Sequence, residues 1–361
     1  MKKRQIQRGR RSKLFALMFI SATALLIGAV GNTFASNPVP PKSEYMTPSF
    51  AAMMTYTRPT EVPQGKDNAA TPERIELGKH LFFDPRLSGS NFISCATCHN
   101  PALGWSDGQP TAIGHGMQVL GRATPTIINT AYQKFQFWDG RATTLEEQAL
   151  GPIVAAGEMN QPLDELVIEL KAIPGYVKMF DTAYPEDGIS ASSIGKAIAL
   201  FERTVVSSES NFDRWLMGDE KALSEEEAWG FVVFEGKGNC DACHSGFNFA
   251  DDKFHNIGLK GVTNEGRFAI EPKASLKGAF KTPTLRDIAL TGPYMHNGAY
   301  DTLEEVVEHY DTGGFENVGE ISIDLKSALE LSERDKKALV AFMKALTGDQ
   351  VKITIPLLPT K

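Results

Sequence analysis

The chain has 361 residues, 42% of them hydrophobic, with 37 Lys/Arg against 44 Asp/Glu. That is enough apolar material for one large core or two moderate ones. The first 35 residues hold seven Lys/Arg and no Asp/Glu, so the remainder carries a net charge near −14, which argues against nucleic acid and anionic lipid as partners.

Those 35 residues open with a basic run (Lys2, Lys3, Arg4, Arg8, Arg10, Arg11, Lys13). They continue as an apolar stretch over 14–30 and end in Thr33-Phe34-Ala35, a small-x-small cleavage site. An uncleaved anchor is the competing reading, because the apolar run is near the lower length limit of a membrane span. No later stretch is apolar enough to cross a bilayer. The expected product is therefore an exported periplasmic protein, cut after Ala35, with no membrane insertion afterwards. The segment "NPVPPKSEYMTPS" that follows reads as a linker.

Helical periodicity marks residues 72–83, 163–172, 190–204, 224–235 and 332–346, many of these segments starting at Ser, Thr or Asp. Between them lie loops rich in Gly and Pro, 32 and 20 in all, which suits a mainly α fold wrapped around a cofactor with long loops.

"CATCH" at 95–99 and "CDACH" at 240–244 use all four cysteines, each pair spaced C-x-x-C and followed at once by one of only seven histidines. In an exported protein four cysteines would ordinarily suggest disulfides. A zinc site would need ligands from distant parts of the chain. C-x-x-C-H is instead the attachment signature of c-type haem, with two thiols for the vinyl groups and a histidine for the iron. Two such haems are expected.

The duplication extends further. "TPT" at 124–126 recurs at 282–284, "WDG" at 138–140 is matched by "HNG" at 296–298, and "TLEE" at 144–147 recurs at 302–305, all with an offset of 158 residues. A G-x-x-x-F pattern precedes each haem motif. The expected organisation is a signal peptide (1–35), two tandem c-type cytochrome-like haem domains (36–205 and 206–346) and a tail (347–361). The boundary falls around "SSESNFDRWLMGDE".

What stands opposite each iron separates a carrier from an enzyme. In "TLEEVVEHYDTGG", Thr302 and Glu305 form a capping box and Gly313 suits the stop. Leu303, Val306, Val307 and Tyr310 share one inward face, while His309 lies about 100° round the helix, toward the polar side. In "TTLEEQALGPI", Leu145, Gln148 and Ala149 face inward, and a buried glutamine needs a partner. Glu158 sits in the apolar loop "AAGEMN", where a solvated surface acid is the alternative. His115 lies among glycines in "GHGMQVLG", a loop free enough to carry a ligand toward an iron or away from it.

Together, from "ELGKHLFFDPRLSGSNFISCATCH" to "HNGAYDTLEEVVEHYDTGG", these motifs resemble the bacterial di-haem cytochrome c peroxidase / MauG superfamily over nearly the whole mature chain. The resemblance implies a peroxidatic haem on Cys95, Cys98 and His99 and an electron-transfer haem on Cys240, Cys243 and His244. It implies Trp138 between the haems, Gln148 and Glu158 as distal catalytic groups, and His115 as a removable distal ligand. Tyr310 matches the tyrosine ligand of MauG-type proteins, where peroxidases usually carry methionine. Gly238 stands where MauG has a tryptophan used in remote oxidation. The family's calcium site implies Thr291 and Pro293 as carbonyl ligands, but its asparagine is replaced by Ala123, which leaves calcium open. The implied function is reduction of hydrogen peroxide with electrons from a small cytochrome c or copper protein, and a homodimer is a known family form. A MauG-type oxidase acting on a protein side chain and a non-catalytic di-haem electron carrier are the alternatives.

Overall fold

The computed structural model describes residues 40–361 apart from 262, 315–318, 326, 351 and 361. The export signal and its cleavage site lie outside the described residues. The fold is mostly helical, with one two-stranded antiparallel ribbon among the described residues.

Eleven α-helices are described in chain order: α1 (Phe50–Tyr56), α2 (Pro72–Phe83), α3 (Cys95–Cys98), α4 (Leu145–Val154), α5 (Leu163–Lys171), α6 (Pro174–Ala183), α7 (Ala191–Glu202), α8 (Asn211–Leu216), α9 (Glu225–Glu235), α10 (Leu303–Thr312) and α11 (Glu333–Ala345). The ribbon pairs β1 (Phe254–His255) with β2 (Phe280–Lys281). The five periodic segments read from the sequence are α2, α5, α7, α9 and α11, bounded within two residues. Their starts follow ordinary capping chemistry: Thr71, Ser190, Ser224 and Ser332 each accept a backbone N–H of the first turn.

Two apolar cores are built alike. In the first, α2 packs on α7, and in the second α9 packs on α11. Gly78 of α2 lies so close to α7 that a Cβ there would come 1.9 Å from the Ala197 carbonyl oxygen. Gly230 of α9 would meet the Ala338 carbonyl oxygen at 2.0 Å. The repeated G-x-x-x-F pattern is thus a packing device. The glycine lets two helix backbones touch, and the phenylalanine one turn later (Phe82, Phe234) fills the core.

One segment departs from the sequence reading, and two others are placed by the fold. The presumed linker is anchored where it is described. Tyr45 is 4% exposed within the second core, and Trp215 donates to the Met46 carbonyl at 2.7 Å. The segment expected to separate the halves forms α8, where the Asp213 carboxylate holds the fully buried Arg286 guanidinium at 2.8 Å. The tail runs back to the first core, with Ile353 packed against it and Arg86 donating to the Pro359 carbonyl at 3.0 Å. Each carries apolar or hydrogen-bonding groups that a periodicity count over a short segment does not register.

Candidate active site

The two C-x-x-C-H motifs are held by matching sets of hydrogen bonds. Each is a tight helical turn in which the histidine N–H bonds the first cysteine's carbonyl at 2.8 Å, His99 to Cys95 and His244 to Cys240. All four cysteines are unpaired and half-buried. Burial pushes the Cys98 thiol up to about 11 and Cys240 to about 12, so neither is a ready nucleophile at neutral pH. His99 Nδ1 donates to the Trp105 carbonyl at 3.2 Å, and His244 Nδ1 to the Phe249 carbonyl at 2.8 Å. A carbonyl can only accept, so Nδ1 carries the proton and Nε2 keeps its lone pair. Burial lowers the pKa of both rings, which favours the neutral, ligating form.

Behind each histidine loop stands a threonine of the repeated TPT. Thr124 Oγ1 donates to Asp107, and Thr282 Oγ1 to Asp251, both at 2.7 Å. The second threonines do likewise: Thr126 bonds the Gly104 carbonyl at 2.7 Å and Thr284 the Asn248 side chain at 2.8 Å. The recurrence of TPT therefore fixes the loop that aims each imidazole.

Both motifs open on one cavity of about 740 Å³, which Cys95, Cys98, His99, Cys240, Cys243 and His244 all line. The expected inward faces also reach it: Leu145, Gln148 and Ala149 from α4, and Leu303, Val306, Val307 and Tyr310 from α10. Thr302 and Glu305 form their capping box, and Gly313 ends α10 at φ +84°.

On the first half's side, Glu158 and Gln148 line the cavity, and neither is held by another side chain among the described residues. Burial raises the Glu158 pKa above the usual carboxylate range, opposed only by the charge of Arg141. His115 is not among the lining residues, although its neighbour Gly114 is. Its Nδ1 is buried without a partner, and its backbone N–H bonds the Gly157 and Glu158 carbonyls at 3.0 and 2.8 Å. The His115 loop and the Glu158 loop are thus stitched together at the rim.

On the second half's side, burial pushes the Tyr310 phenol well above its ordinary range. His309 corrects the helical-wheel expectation. It is 3% exposed, with Nε2 donating to the Ile257 carbonyl at 2.8 Å and Nδ1 accepting from the Tyr300 hydroxyl at 3.0 Å. The loops carrying Ile257 and Tyr300 cover a flank of α10 that its sequence marks as polar.

The halves meet through crossed contacts. Ala123 N–H bonds the His296 carbonyl at 2.8 Å, and Lys281 N–H bonds the Trp138 carbonyl at 2.8 Å. Under the 158-residue offset Ala123 corresponds to Lys281 and Trp138 to His296, so these are one contact made twice. Trp138 Nε1 also donates to the Ala123 carbonyl at 2.9 Å, and its ring meets His296 edge-on at 6.3 Å. Thr291 and Pro293 line the same cavity.

A family model described as di-haem cytochrome c peroxidase matches residues 72–221. Methylamine utilization protein MauG of Methylorubrum extorquens is 46% identical over 336 residues, 92% of this chain and 95% of that protein. The chain belongs to the di-haem cytochrome c peroxidase and MauG family. Cytochrome c551 peroxidase of Nitrosomonas europaea is 39% identical, over 81% of this chain and 86% of the relative. The crystal structure of a MauG-like protein associated with microbial copper homeostasis superposes with a TM-score of 0.74 at 33% identity, covering 80% of this chain and 94% of that one.

As a family member the chain is a haem-dependent oxidoreductase of the peroxidase type, and its cavity suits two such groups. It is mostly apolar-walled, and it presents a neutral, pre-oriented histidine from each half together with two thiols beside each. Calcium fits less well. Ala123 offers no side-chain oxygen, and its carbonyl already accepts from Trp138, which leaves two backbone carbonyls where Ca²⁺ takes six to eight oxygens.

Sequence reasoning passed over a cluster next to the second motif. The Cys243, Asp251 and His255 ligand atoms lie within 4.8 Å of one another. His255 bonds Asp251 at 2.9 Å, and this partner raises the imidazole pKa to about 10. It also missed Glu202, a buried carboxyl lining the cavity whose burial raises its pKa to about 8. Among the motifs, only "HNG" in the place of "WDG" hinted that further side chains of the second half reach the centre.

Proposed function

We propose that the chain is an exported, periplasmic di-haem peroxidase. Cys95, Cys98 and His99 would hold one haem, and Cys240, Cys243 and His244 the other. The observation that carries this reading is the pair of unpartnered groups, Glu158 and Gln148, on the wall of the cavity that both C-x-x-C-H motifs share.

Reduction of one H₂O₂ to two waters consumes two electrons and two protons. The haems supply iron to bind the peroxide and the two electrons. Glu158 would accept a proton from one peroxide oxygen and return it to the other, so that water can leave, a transfer worth roughly 10²–10⁴ in rate. Its raised pKa brings it nearer neutrality, where a carboxylate both accepts and returns a proton. Gln148 orients the peroxide with its amide. Trp138, between the halves, carries oxidising equivalents across. Tyr310, which lines the cavity from the second half, would hold the iron of the second haem. Its buried phenol resists ionisation, so only a strong Lewis acid such as ferric iron would draw its proton off. His115, off the cavity wall, reaches an iron only if its loop moves. Calcium at Thr291 and Pro293 would rest largely on water.

Electrons come from a small cytochrome c or copper protein. Steady-state H₂O₂ turnover with a reduced cytochrome c tests the proposal: sustained turnover is expected, and no peroxide reaction in any redox state would leave a pure electron carrier. A second reading, a MauG-type oxidase acting on a protein side chain, is favoured by two observations. The two MauG relatives are 46% and 42% identical, and Tyr310 rather than methionine lines the second half. That reading predicts slow donor turnover with peroxide-dependent modification of a protein partner.

A further inference from the structure

Among the described residues four cations line the cavity, and three are matched by carboxylates. Arg122 and Arg141 bond Asp139 at 2.6 and 3.1 Å, and His255 bonds Asp251 at 2.9 Å. The fourth is Lys281. It is 8% exposed, and its ammonium donates to the neutral Gln133 amide oxygen at 2.6 Å. Among the described residues no carboxylate bonds it, and Asp252 acts on it only through its charge. A buried ammonium with only a neutral partner is costly, and burial lowers this one to about 8.

The duplication sharpens the anomaly. Position 281 corresponds to Ala123, so one half places a methyl where the other places a charge. The backbone site is otherwise the same, since each residue's N–H bonds the opposite half's carbonyl at 2.8 Å. The lysine is therefore not a requirement of the scaffold. A haem in this cavity would bring the missing anion, because each haem carries two propionate carboxylates.

We propose that Lys281 is the counter-ion of a propionate carboxylate of the second-half haem. The assignment to that haem follows from its neighbours. Thr282 holds Asp251 of the His244 loop, and β2 pairs Lys281 with Phe254 beside His255. The bond is a charge-assisted N–H···O contact, stronger than the one to Gln133 that it supplements or replaces. It has an electrical consequence. A fixed positive charge beside a haem disfavours the more positive ferric state, so Lys281 raises the second haem's reduction potential and distinguishes it from the first. The inference rests on the proposal that the cavity holds two haems.

The test uses the holoprotein with Lys281→Met, Lys281→Arg and Lys281→Gln. Pyridine haemochrome counting comes first. Fewer than two haems in the unsubstituted protein would end the di-haem reading rather than this one. With two present, redox titration followed by optical and EPR spectra resolves each haem. Lys281→Met is expected to lower the second haem's potential more than the first's and to shift its propionate bending band in resonance Raman spectra, with Lys281→Arg near wild type. Unchanged potentials and bands in Lys281→Met overturn the proposal, as does a larger shift at the first haem. If Lys281→Met fails to accumulate, recovery by Lys281→Arg but not Lys281→Gln supports the charge requirement. Recovery by Lys281→Gln with native potentials overturns it.

Discussion

The two walls of the cavity share a scaffold and differ in what they present. Both aim a histidine through a backbone carbonyl, brace its loop with an aspartate–threonine hydrogen bond, and seat it on a helix pair joined at a glycine. Opposite that scaffold the first half sets a carboxyl and an amide, and the second a phenol. The two halves thus repeat the loops behind their histidines and differ in the polar groups that line the cavity. Duplication preserves the first set and leaves the second free to diverge.

The comparison breaks most visibly at the attachment sites. Cys95→Ala/Cys98→Ala and Cys240→Ala/Cys243→Ala should each halve the haem count. Only the first pair should abolish the reaction of the ferric protein with peroxide, whereas the second should lose turnover with the donor. Haem staining and stopped-flow spectra check both. If the two pairs behave alike, the division of labour is wrong.

Glu158→Gln should lower peroxide turnover by roughly 10²–10⁴ with both haems retained. The sign of the pH dependence follows from the raised pKa of Glu158. Accepting a proton requires the ionised form, so activity falls as pH drops through that raised value, and this limb disappears in Glu158→Gln. A kcat profile across acid to neutral pH reads it. A third substitution, Tyr310→Met, should raise the second haem's potential, because methionine favours the reduced state. The first haem's spectrum should not follow. Smallest of all, Thr124→Val and Thr282→Val each remove a hydrogen bond to a carboxylate and should destabilise by about 1.5–3 kcal/mol. Similar losses in thermal or denaturant unfolding would support an equivalent scaffold, and a large inequality would show that one half depends on its brace more than the other.

Much of this was legible residue by residue. The C-x-x-C-H motifs, the capping box at Thr302 and Glu305, and the inward faces of α4 and α10 are local patterns, set by bonding within one turn or by a 3.6-residue period. His309 was misjudged because the wheel knows only its own helix, and the loops of Ile257 and Tyr300 that cover it come from elsewhere in the chain. At position 115 the structure adds what the local glycines do not show: the His115 N–H bonds the carbonyls of 157 and 158, and the side chain is not among those lining the cavity.

The sequence by itself determined that there are two C-x-x-C-H motifs, that their surroundings repeat, and which helices turn an apolar face inward. A C-x-x-C-H spacing and a helix periodicity need only neighbouring residues. Only the tertiary structure decided that both motifs open on one cavity, that among the described residues Glu158 and Gln148 stand unpartnered on its wall, and that no carboxylate among them bonds Lys281 there. Those facts depend on burial and on charges brought together from distant positions. Both set the cost of a lone polar group, and neither is written in any short stretch of chain.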